Sequence, residues 1–180
     1  HRTNPRASLQ YQWVSYGRIS AHLKRAVVAA EDARFMEHDG FDWDGIQKAL
    51  AKNEKKGRVV AGGSTISQQL AKNLFLSGSR SWIRKAQEAM ITWMLETVMD
   101  KSRILEIYLN VAEWGSGVFG AEAAARHYFG ASAAQLSPGQ AAWLAAILPS
   151  PLRYDRFRGS PWIATKTELI LSRMPAAQIP

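Results

Sequence analysis

Helix start and stop signals recur along this chain, whereas the two-residue alternation that marks a strand is nearly absent. Thr65 and Ser137 are each followed by Gln three residues later, which is the pattern of a capping box at a helix N-terminus. Gly130 follows an alanine-rich segment, where glycine typically ends a helix. Only residues 11–19 offer a strand-like segment. The sequence therefore predicts a mainly α fold.

The predicted helices follow one another with short breaks. In chain order they are 20–37, stopping near Gly40; a helix from Asp42 or Asp44 into the basic run 52–58; a helix capped by Thr65; 82–99, after a polar break at 77–81; a helix capped by Asp100 and reaching Ala112; 121–129; 138–148; and 163–174. An apolar stripe on 82–99 is expected to face the core, although its Trp and Met side chains also suit a membrane-facing surface; it consists of Ala86, Met90, Trp93, Met94 and Thr97.

Composition narrows the class of protein. The chain has 180 residues, 47% of them hydrophobic, which suffices for the core of one domain over residues 1–180 and excludes a disordered chain. The absence of cysteine excludes disulfides, thiolate catalysis and cysteine-bound metals. A net charge of +8 favours a polyanionic partner, although solubility alone would also account for it. No apolar run reaches the about 20 residues of a spanning helix, and since the chain begins at His1 we expect an N-terminal membrane anchor to be missing from it.

The segment from Glu31 to His38 is the first that could carry chemistry. If the first helix continues through it, Glu31, Phe35 and His38 fall within about 60° of one another around the helix axis. A carboxylate that is partly buried beside an aromatic ring suits a general base. Taken alone, the segment equally fits a solvated acidic turn with a core phenylalanine.

A second segment combines glycines with a polar helix. Gly62 and Gly63 precede the Thr65-capped helix, so its N-terminal amides can face a phosphate. The helix carries two neighbouring stripes without an acid: Ser64, Gln68 and Lys72, and Thr65, Gln69 and Asn73. This surface suits a sugar phosphate, although an ordinary capped surface helix also fits. It is not a P-loop, because the Gly-Lys-Ser/Thr ending is absent.

Charged residues cluster in the third segment. Glu88 follows Arg84 by four residues and Lys85 by three, so all three side chains can meet on one helix face. They fit a diphosphate pocket with one carboxylate, or a surface salt-bridge cluster worth under about 1 kcal/mol. Further along, the spacing of Tyr108 predicts a core residue, and Asn110 before a glycine-rich turn predicts backbone capping.

Taken in order, these segments resemble glycosyltransferase family 51, which includes monofunctional peptidoglycan transglycosylases and the N-terminal domains of class A penicillin-binding proteins. The resemblance covers about residues 20–155, with Ser67 where the family usually has Thr. No transpeptidase domain follows, which favours the monofunctional type, and a domain cut from a bifunctional protein also fits. The matching motifs are Glu31-Asp32-x-x-Phe35-x-x-His38-x-Gly40, Gly62-Gly63-Ser64-Thr65-Ile66-x-Gln68-Gln69-x-x-Lys72-Asn73, Arg84-Lys85-x-x-Glu88, Ile104-Leu105-x-x-Tyr108-Leu109-Asn110, and 141–151.

The resemblance implies a lysozyme-like, two-lobed helical domain whose smaller lobe is membrane-proximal. It implies polymerisation of lipid II into β-1,4-linked glycan strands, with inversion and release of undecaprenyl diphosphate. The growing lipid-linked strand is then the donor and lipid II the acceptor. The implied location is the bacterial cytoplasmic membrane, with the catalytic domain on its periplasmic or extracellular face. Other implied partners are the membrane surface and further cell-wall synthesis or division proteins, but not nucleic acid.

The same resemblance implies roles for the site residues. Glu31 is the general base for the acceptor 4-hydroxyl, and Glu88 is the second carboxylate. Glu88 either positions cations, holds a divalent ion such as Mg²⁺ or Mn²⁺, or assists the leaving group; no organic cofactor is implied. The diphosphate ligands are Lys72, Arg80, Arg84 and Lys85. The remaining substrate-site residues are Asp32, Phe35, His38, Ser64, Thr65, Gln68, Gln69 and Asn73.

Two other classes of protein compete with this interpretation. A lysozyme or lytic transglycosylase also uses carboxylates in a helical cleft, but it does not need a basic patch beside the second one. A non-enzymatic module for nucleic acid or anionic membranes fits the charge, yet no nucleic-acid motif is present. Fragments released from purified cell wall would support the first class, and salt-dependent DNA binding without polymerase activity would support the second.

Overall fold

Helices dominate the computed structural model, which describes residues 9–57, 62–76, 81–157 and 159–180. The helices are α1 Ala21–Glu31, α2 Trp43–Lys56, α3 Ile66–Phe75, α4 Trp82–Val98, α5 Lys101–Val111, α6 Ala121–Phe129, α7 Pro138–Ile147, α8 Pro151–Arg156 and α9 Pro161–Arg173. The strands are β1 Gln10–Tyr11, β2 Glu113–Gly115 and β3 Val118–Phe119. The mainly α prediction is confirmed. Residues 77–80 of the predicted polar break at 77–81, and the end of the basic run, Arg58, lie outside the described residues.

The predicted helix caps are confirmed. The backbone amide of Gln68 donates to Thr65 Oγ1, and the side chain of Gln68 accepts from the Thr65 amide at 3.0 Å. Ser137 and Gln140 form the same reciprocal pair at the start of α7. Gly130 ends α6 in the left-handed conformation, with φ of 64°. Short polar side chains therefore satisfy helix-end amides that would otherwise lack partners.

The first helix ends at Glu31, earlier than predicted. Asp32 leaves the helical conformation, with φ −158° and ψ 71°, and its side chain accepts a hydrogen bond from the Ile66 amide at 3.0 Å. The chain then continues as a single 3₁₀ turn. The predicted helix face shared by Glu31, Phe35 and His38 is therefore wrong, because the chain bends at Asp32 to cap α3.

The core centres on α7. Most of its residues from Ala141 to Ile147 are buried, and the helix packs against α1 and α9. α3 packs against both α4 and α5, and α8, which the sequence did not predict, packs against β2. The end of α1, α3, the end of α5 and the α7–α8 connection thereby come together.

A small sheet joins the start of the chain to the segment after α5. β1 runs parallel to β3 and β2 runs antiparallel to it, in the order β1-β3-β2. Asn110 ties this region together: its Nδ2 donates to Val14 O, and its Oδ1 accepts from the Val14 amide, both at 2.9 Å. Gly120 has a φ of 86°, and a Cβ there would lie 2.7 Å from Asn110 O. The predicted structural role of Asn110 is confirmed, but its side chain bonds the backbone of Val14 and Glu106 and does not cap the adjacent glycine-rich turn.

The apolar stripe of α4 faces outward, contrary to the prediction. Met90, Trp93 and Met94 are 65%, 63% and 52% exposed. The opposite face packs on α3 and contains Glu88 and Thr92, whose polar groups find partners there; the Thr92 hydroxyl, for example, donates to the Glu88 carbonyl at 2.7 Å. Polar groups bonded in this way can be buried, which leaves the apolar stripe on the surface.

Within the residues that the structure describes, no helix combines the length and apolar character that crossing a bilayer requires.

Candidate active site

A cavity of about 350 Å³ lies where the end of α1, α3, the end of α5 and the α7–α8 connection meet. Five predicted site residues line it: Glu31, Ser64, Gln69, Lys72 and Asn73. The sequence did not assign the other lining residues to the site; they are Tyr108, Ala112, Glu113, Leu148, Pro149 and Pro151. Two separate sequence motifs are therefore brought together around one space.

Glu31 is held by a chain of two hydrogen bonds. Tyr108 Oη donates to Gln69 Oε1 at 2.9 Å, and Gln69 Nε2 donates to Glu31 Oε2 at 2.9 Å. Burial, together with the charges of Glu31 and Asp32, raises the pKa of Tyr108 well above its ordinary value, so the phenol stays a donor. The protonated phenol fixes the orientation of the Gln69 amide, which in turn fixes the carboxylate.

A lysine from a distant part of the sequence stands near Glu31. Lys166 of α9 is close enough for the negative charge of Glu31 to act on it, while burial lowers the pKa of Lys166. Its Nζ donates to Ala146 O at 3.4 Å and lies 5.1 Å from the centre of the Trp162 ring. No motif or spacing in the sequence pointed to this cation.

Several predicted site residues lie behind the cavity wall instead of lining it. Asp32 is 6% exposed, and its two oxygens contact the Ile66 amide and His38 Nε2, the latter at 2.9 Å. Thr65 Oγ1 donates to Gly40 O at 2.7 Å. The buried members of this group are Asp32, Phe35, Thr65 and Gln68. They set the position of α3 against the end of α1, and so the position of Glu31 against Gln69.

The N-terminus of α3 does not present its amides in the way the sequence suggested. The Ile66 amide donates a hydrogen bond to the Asp32 carboxylate, and the Gln68 amide donates one to Thr65 Oγ1. Gly63 lies against α2, where a Cβ would come 3.1 Å from Ile46 Cα. The anion at this helix end is therefore the protein's own carboxylate, and the predicted phosphate contact at these amides is wrong.

A partly buried ion pair stabilises the same region. Lys101 Nζ donates to His38 O at 2.6 Å and to Glu96 Oε1 at 2.8 Å, and it lies 4.6 Å above the centre of the Phe35 ring. The Ser67 hydroxyl also donates to Glu96. Serine and threonine both have a hydroxyl group that can donate this hydrogen bond, which explains how serine can replace threonine in this motif.

The cationic cluster on α4 has a buried carboxylate at its centre. Glu88 is 4% exposed and pairs with Lys85, whose side chain is 52% exposed. Arg84 does not pair with Glu88 as predicted; its Nε is buried and has no partner among the described residues. Arg80 lies outside the described residues. Because α4 packs along α3, this cluster and Lys72 lie on neighbouring helices.

A metal site made by the protein alone is not evident in the part of the chain that the structure describes, where no group of three or more His, Asp or Glu side chains is suitably arranged. Glu88 is a single carboxylate with a lysine partner.

Comparison with known proteins identifies the family of this chain. Residues 2–175 match the family described as Transglycosylase. Proteins named biosynthetic peptidoglycan transglycosylase are similar along nearly the whole chain: one from Dechloromonas aromatica is 65% identical over 98% of this chain and 76% of its own length. The protein from Janthinobacterium sp. (strain Marseille) is 63% identical over 98% of this chain and 77% of its own length. The protein from Nitrosomonas eutropha is 61% identical over 100% of this chain and 74% of its own length. The chain therefore belongs to the transglycosylase family, and its enzymatic activity is that of a peptidoglycan glycosyltransferase.

Proposed function

We propose that the chain polymerises lipid II into β-1,4-linked glycan strands and that Glu31 is the general base. The observation that carries this proposal is the hydrogen-bonded chain Tyr108–Gln69–Glu31 in a cavity that Lys72 also lines. It supplies an oriented carboxylate and a cation within one space. Both are needed to join a sugar hydroxyl to a sugar diphosphate.

The base would act on the acceptor sugar. A sugar hydroxyl is a weak nucleophile, so its proton has to leave as the new bond forms. Glu31 Oε2 accepts from Gln69, which leaves Oε1 to take the proton of the acceptor 4-hydroxyl. The hydroxyl oxygen bonds to the anomeric carbon of the donor, the bond from that carbon to the diphosphate breaks, and the configuration inverts.

The leaving diphosphate would be stabilised by cations of α3 and α4. Lys72 lines the cavity, and Lys85 and Arg84 lie on the neighbouring helix. The terminal guanidinium nitrogens of Arg84 are donors of the kind that bind phosphate oxygens. Glu88 positions Lys85 in this scheme. If a Mg²⁺ or Mn²⁺ ion were bound here, Glu88 would be the carboxylate that holds it, and the ion would neutralise charge on the diphosphate.

Replacing Lys72 by alanine tests the diphosphate assignment. Loss of one hydrogen bond to a charged group should lower kcat/KM for lipid II by about 10- to 100-fold. The measurement is the initial rate of polymerisation against lipid II concentration in detergent. Lys48, an exposed lysine of α2, provides the control, since Lys48→Ala removes the same charge away from the cavity. Equal rates for the two variants would rule out Lys72 as a diphosphate ligand.

The outward face of α4 supports contact with a membrane. Both carboxylates of this helix, Glu88 and Glu96, have side chains only 5% and 7% exposed, so the face shows no negative charge. Exposed apolar side chains cover it and the adjacent end of α3; they are Leu74, Phe75, Trp82, Ile83, Met90, Trp93, Met94 and Val98. Lys85 at its edge can meet anionic headgroups. We infer that this face enters the interface of a lipid bilayer.

This membrane contact completes the proposed location. An enzyme of peptidoglycan synthesis acts in the cell envelope. Since its substrate is attached to a lipid, we propose that the catalytic domain lies at the outer surface of the bacterial cytoplasmic membrane.

The double variant Trp93→Asp/Met94→Asp tests the membrane-facing surface. Each of these side chains contributes on the order of 1 kcal/mol or more when it leaves water, so the double change should lower partition into vesicles at least about tenfold. Sedimentation with vesicles that contain anionic lipids measures it. Leu169→Asp, at a residue 46% exposed on α9, should bind vesicles like the wild type. Undiminished binding by the α4 variant would show that this face does not touch the membrane.

A further inference from the structure

Glu113 is a second carboxylate in the cavity that contains Glu31. It is the first residue of β2, directly after α5. Burial raises the pKa of Glu113, and a hydrogen bond from the Gly117 amide opposes this shift. A carboxylate kept partly out of water costs stability unless it has a binding partner. The reaction described above gives Glu113 no role.

Glu113 and Lys72 belong to different walls of the cavity. Lys72 and Asn73 are on α3, whereas Glu113 is on β2, which packs against α8. Pro149 and Pro151 extend the wall of Glu113. One wall therefore offers a cation and the other offers a carboxylate.

This division matches the geometry of inverting transfer. The attacking hydroxyl must approach the anomeric carbon from the face opposite the leaving group. If the diphosphate lies by Lys72, the acceptor sugar lies on the side away from it. A carboxylate only accepts hydrogen bonds, and the hydroxyl and acetamido N–H groups of an amino sugar are donors.

We propose that Glu113 binds the acceptor sugar by accepting a hydrogen bond from one of its hydroxyl or acetamido groups. This inference rests on the proposed function, because it takes Glu31 as the base and Lys72 as a diphosphate ligand. It assigns Glu113 to the selection and placement of the acceptor, while Glu31 receives the proton.

The test separates acceptor binding from donor binding. A lipid-linked donor whose terminal 4-hydroxyl is blocked can give its sugar but cannot accept one, so lipid II becomes the sole acceptor. Glu113→Ala should raise the KM for lipid II, measured from the initial rate at which the blocked donor is elongated, by about 10- to 100-fold, the worth of a hydrogen bond to a charged group. Glu113→Gln, which keeps an accepting carbonyl, should show a smaller rise. The KM for the blocked donor should stay unchanged in both variants.

Thermal unfolding shows whether the variants fold. Because burial raises the pKa of Glu113, the folded protein loses stability as pH rises from the ordinary glutamate range through that raised pKa. Glu113→Gln should therefore unfold at or above the wild-type temperature at neutral pH, and the difference should shrink as pH falls. Glu168→Gln, an exposed change of equal charge on α9, should match the wild type in both assays.

Two outcomes would overturn the inference. An unchanged acceptor KM in folded Glu113→Ala would remove the contact, and an equal rise in donor and acceptor KM would indicate a structural role only. Failure of the proposed function looks different: the wild type would then make no product, or Glu31→Gln would stay active.

Discussion

A Glu31→Gln protein is expected to fold like the wild type and to polymerise lipid II at least about 10²-fold more slowly, since base catalysis contributes about 10²–10⁴-fold. Glutamine has nearly the same shape and keeps an oxygen that can accept from Gln69 Nε2, which lies 2.9 Å from Glu31 in the wild type. What the variant loses is the ability to take a proton. The initial rate of polymerisation at saturating lipid II measures the loss.

The control for this variant is Glu168→Gln, which removes one exposed carboxylate outside the cavity and should leave the rate unchanged. A folded Glu31→Gln protein with a wild-type rate would exclude Glu31 as the base. The carboxylate of Glu113, in the same cavity, would then be the next group to replace.

Asp32→Ala is expected to cost roughly 2–5 kcal/mol of folding free energy, because it leaves two buried donors without an acceptor. His38 Nδ1 accepts from the Gly40 amide at 3.2 Å, which assigns the ring proton to Nε2 and makes that nitrogen a donor to Asp32. The Ile66 amide is the second donor. Urea unfolding measures the loss, and polymerisation should fall with it because Glu31 adjoins Asp32 in the chain.

Asparagine should not rescue this position. Two donors converge on the two oxygens of Asp32, and asparagine offers one oxygen and an amino group, so Asp32→Asn should still lose about 1–3 kcal/mol. Asp39→Ala removes an exposed carboxylate nearby and should leave stability within about 0.5 kcal/mol. Wild-type stability in Asp32→Asn would show that His38 is not a donor to Asp32.

Local signals in the sequence were enough to predict most helices, but not the end of α1. The caps at Thr65, Ser137 and Gly130 involve only residues close together in the chain, so the sequence pattern predicted these helix ends. Asp32 ends α1 through a hydrogen bond to Ile66, far along the chain. No local propensity reports such a contact.

The outward stripe of α4 shows a second limit of sequence reasoning. Apolar periodicity identified the stripe, but the core lies on the opposite side, against α3. That side contains Glu88, Thr92 and Glu96, whose polar groups are bonded within α4 or to Ser67, Lys85 and Lys101. Periodicity predicts which residues share a face of a helix. It does not predict which face packs against the core and which one stays on the surface.

The part of the candidate site that motif residues form was predictable from the sequence. Glu31, Gln69 and Lys72 stood in recognisable motifs and meet in the cavity. Lys166 and Glu113 come from outside those motifs, and only the packing of α9 and β2 brings them near Glu31. A carboxylate two residues before a glycine-rich turn, such as Glu113, was the one local signal that could have been noticed.

The most direct test of the central claim is to incubate the wild-type protein with purified, labelled lipid II and to digest the product with a muramidase specific for β-1,4 linkages. The account predicts long strands that appear with time and that the muramidase reduces to disaccharide units. A folded protein that leaves lipid II unpolymerised in both detergent and vesicles, while releasing sugar fragments from purified cell wall, would contradict it and would identify a hydrolase.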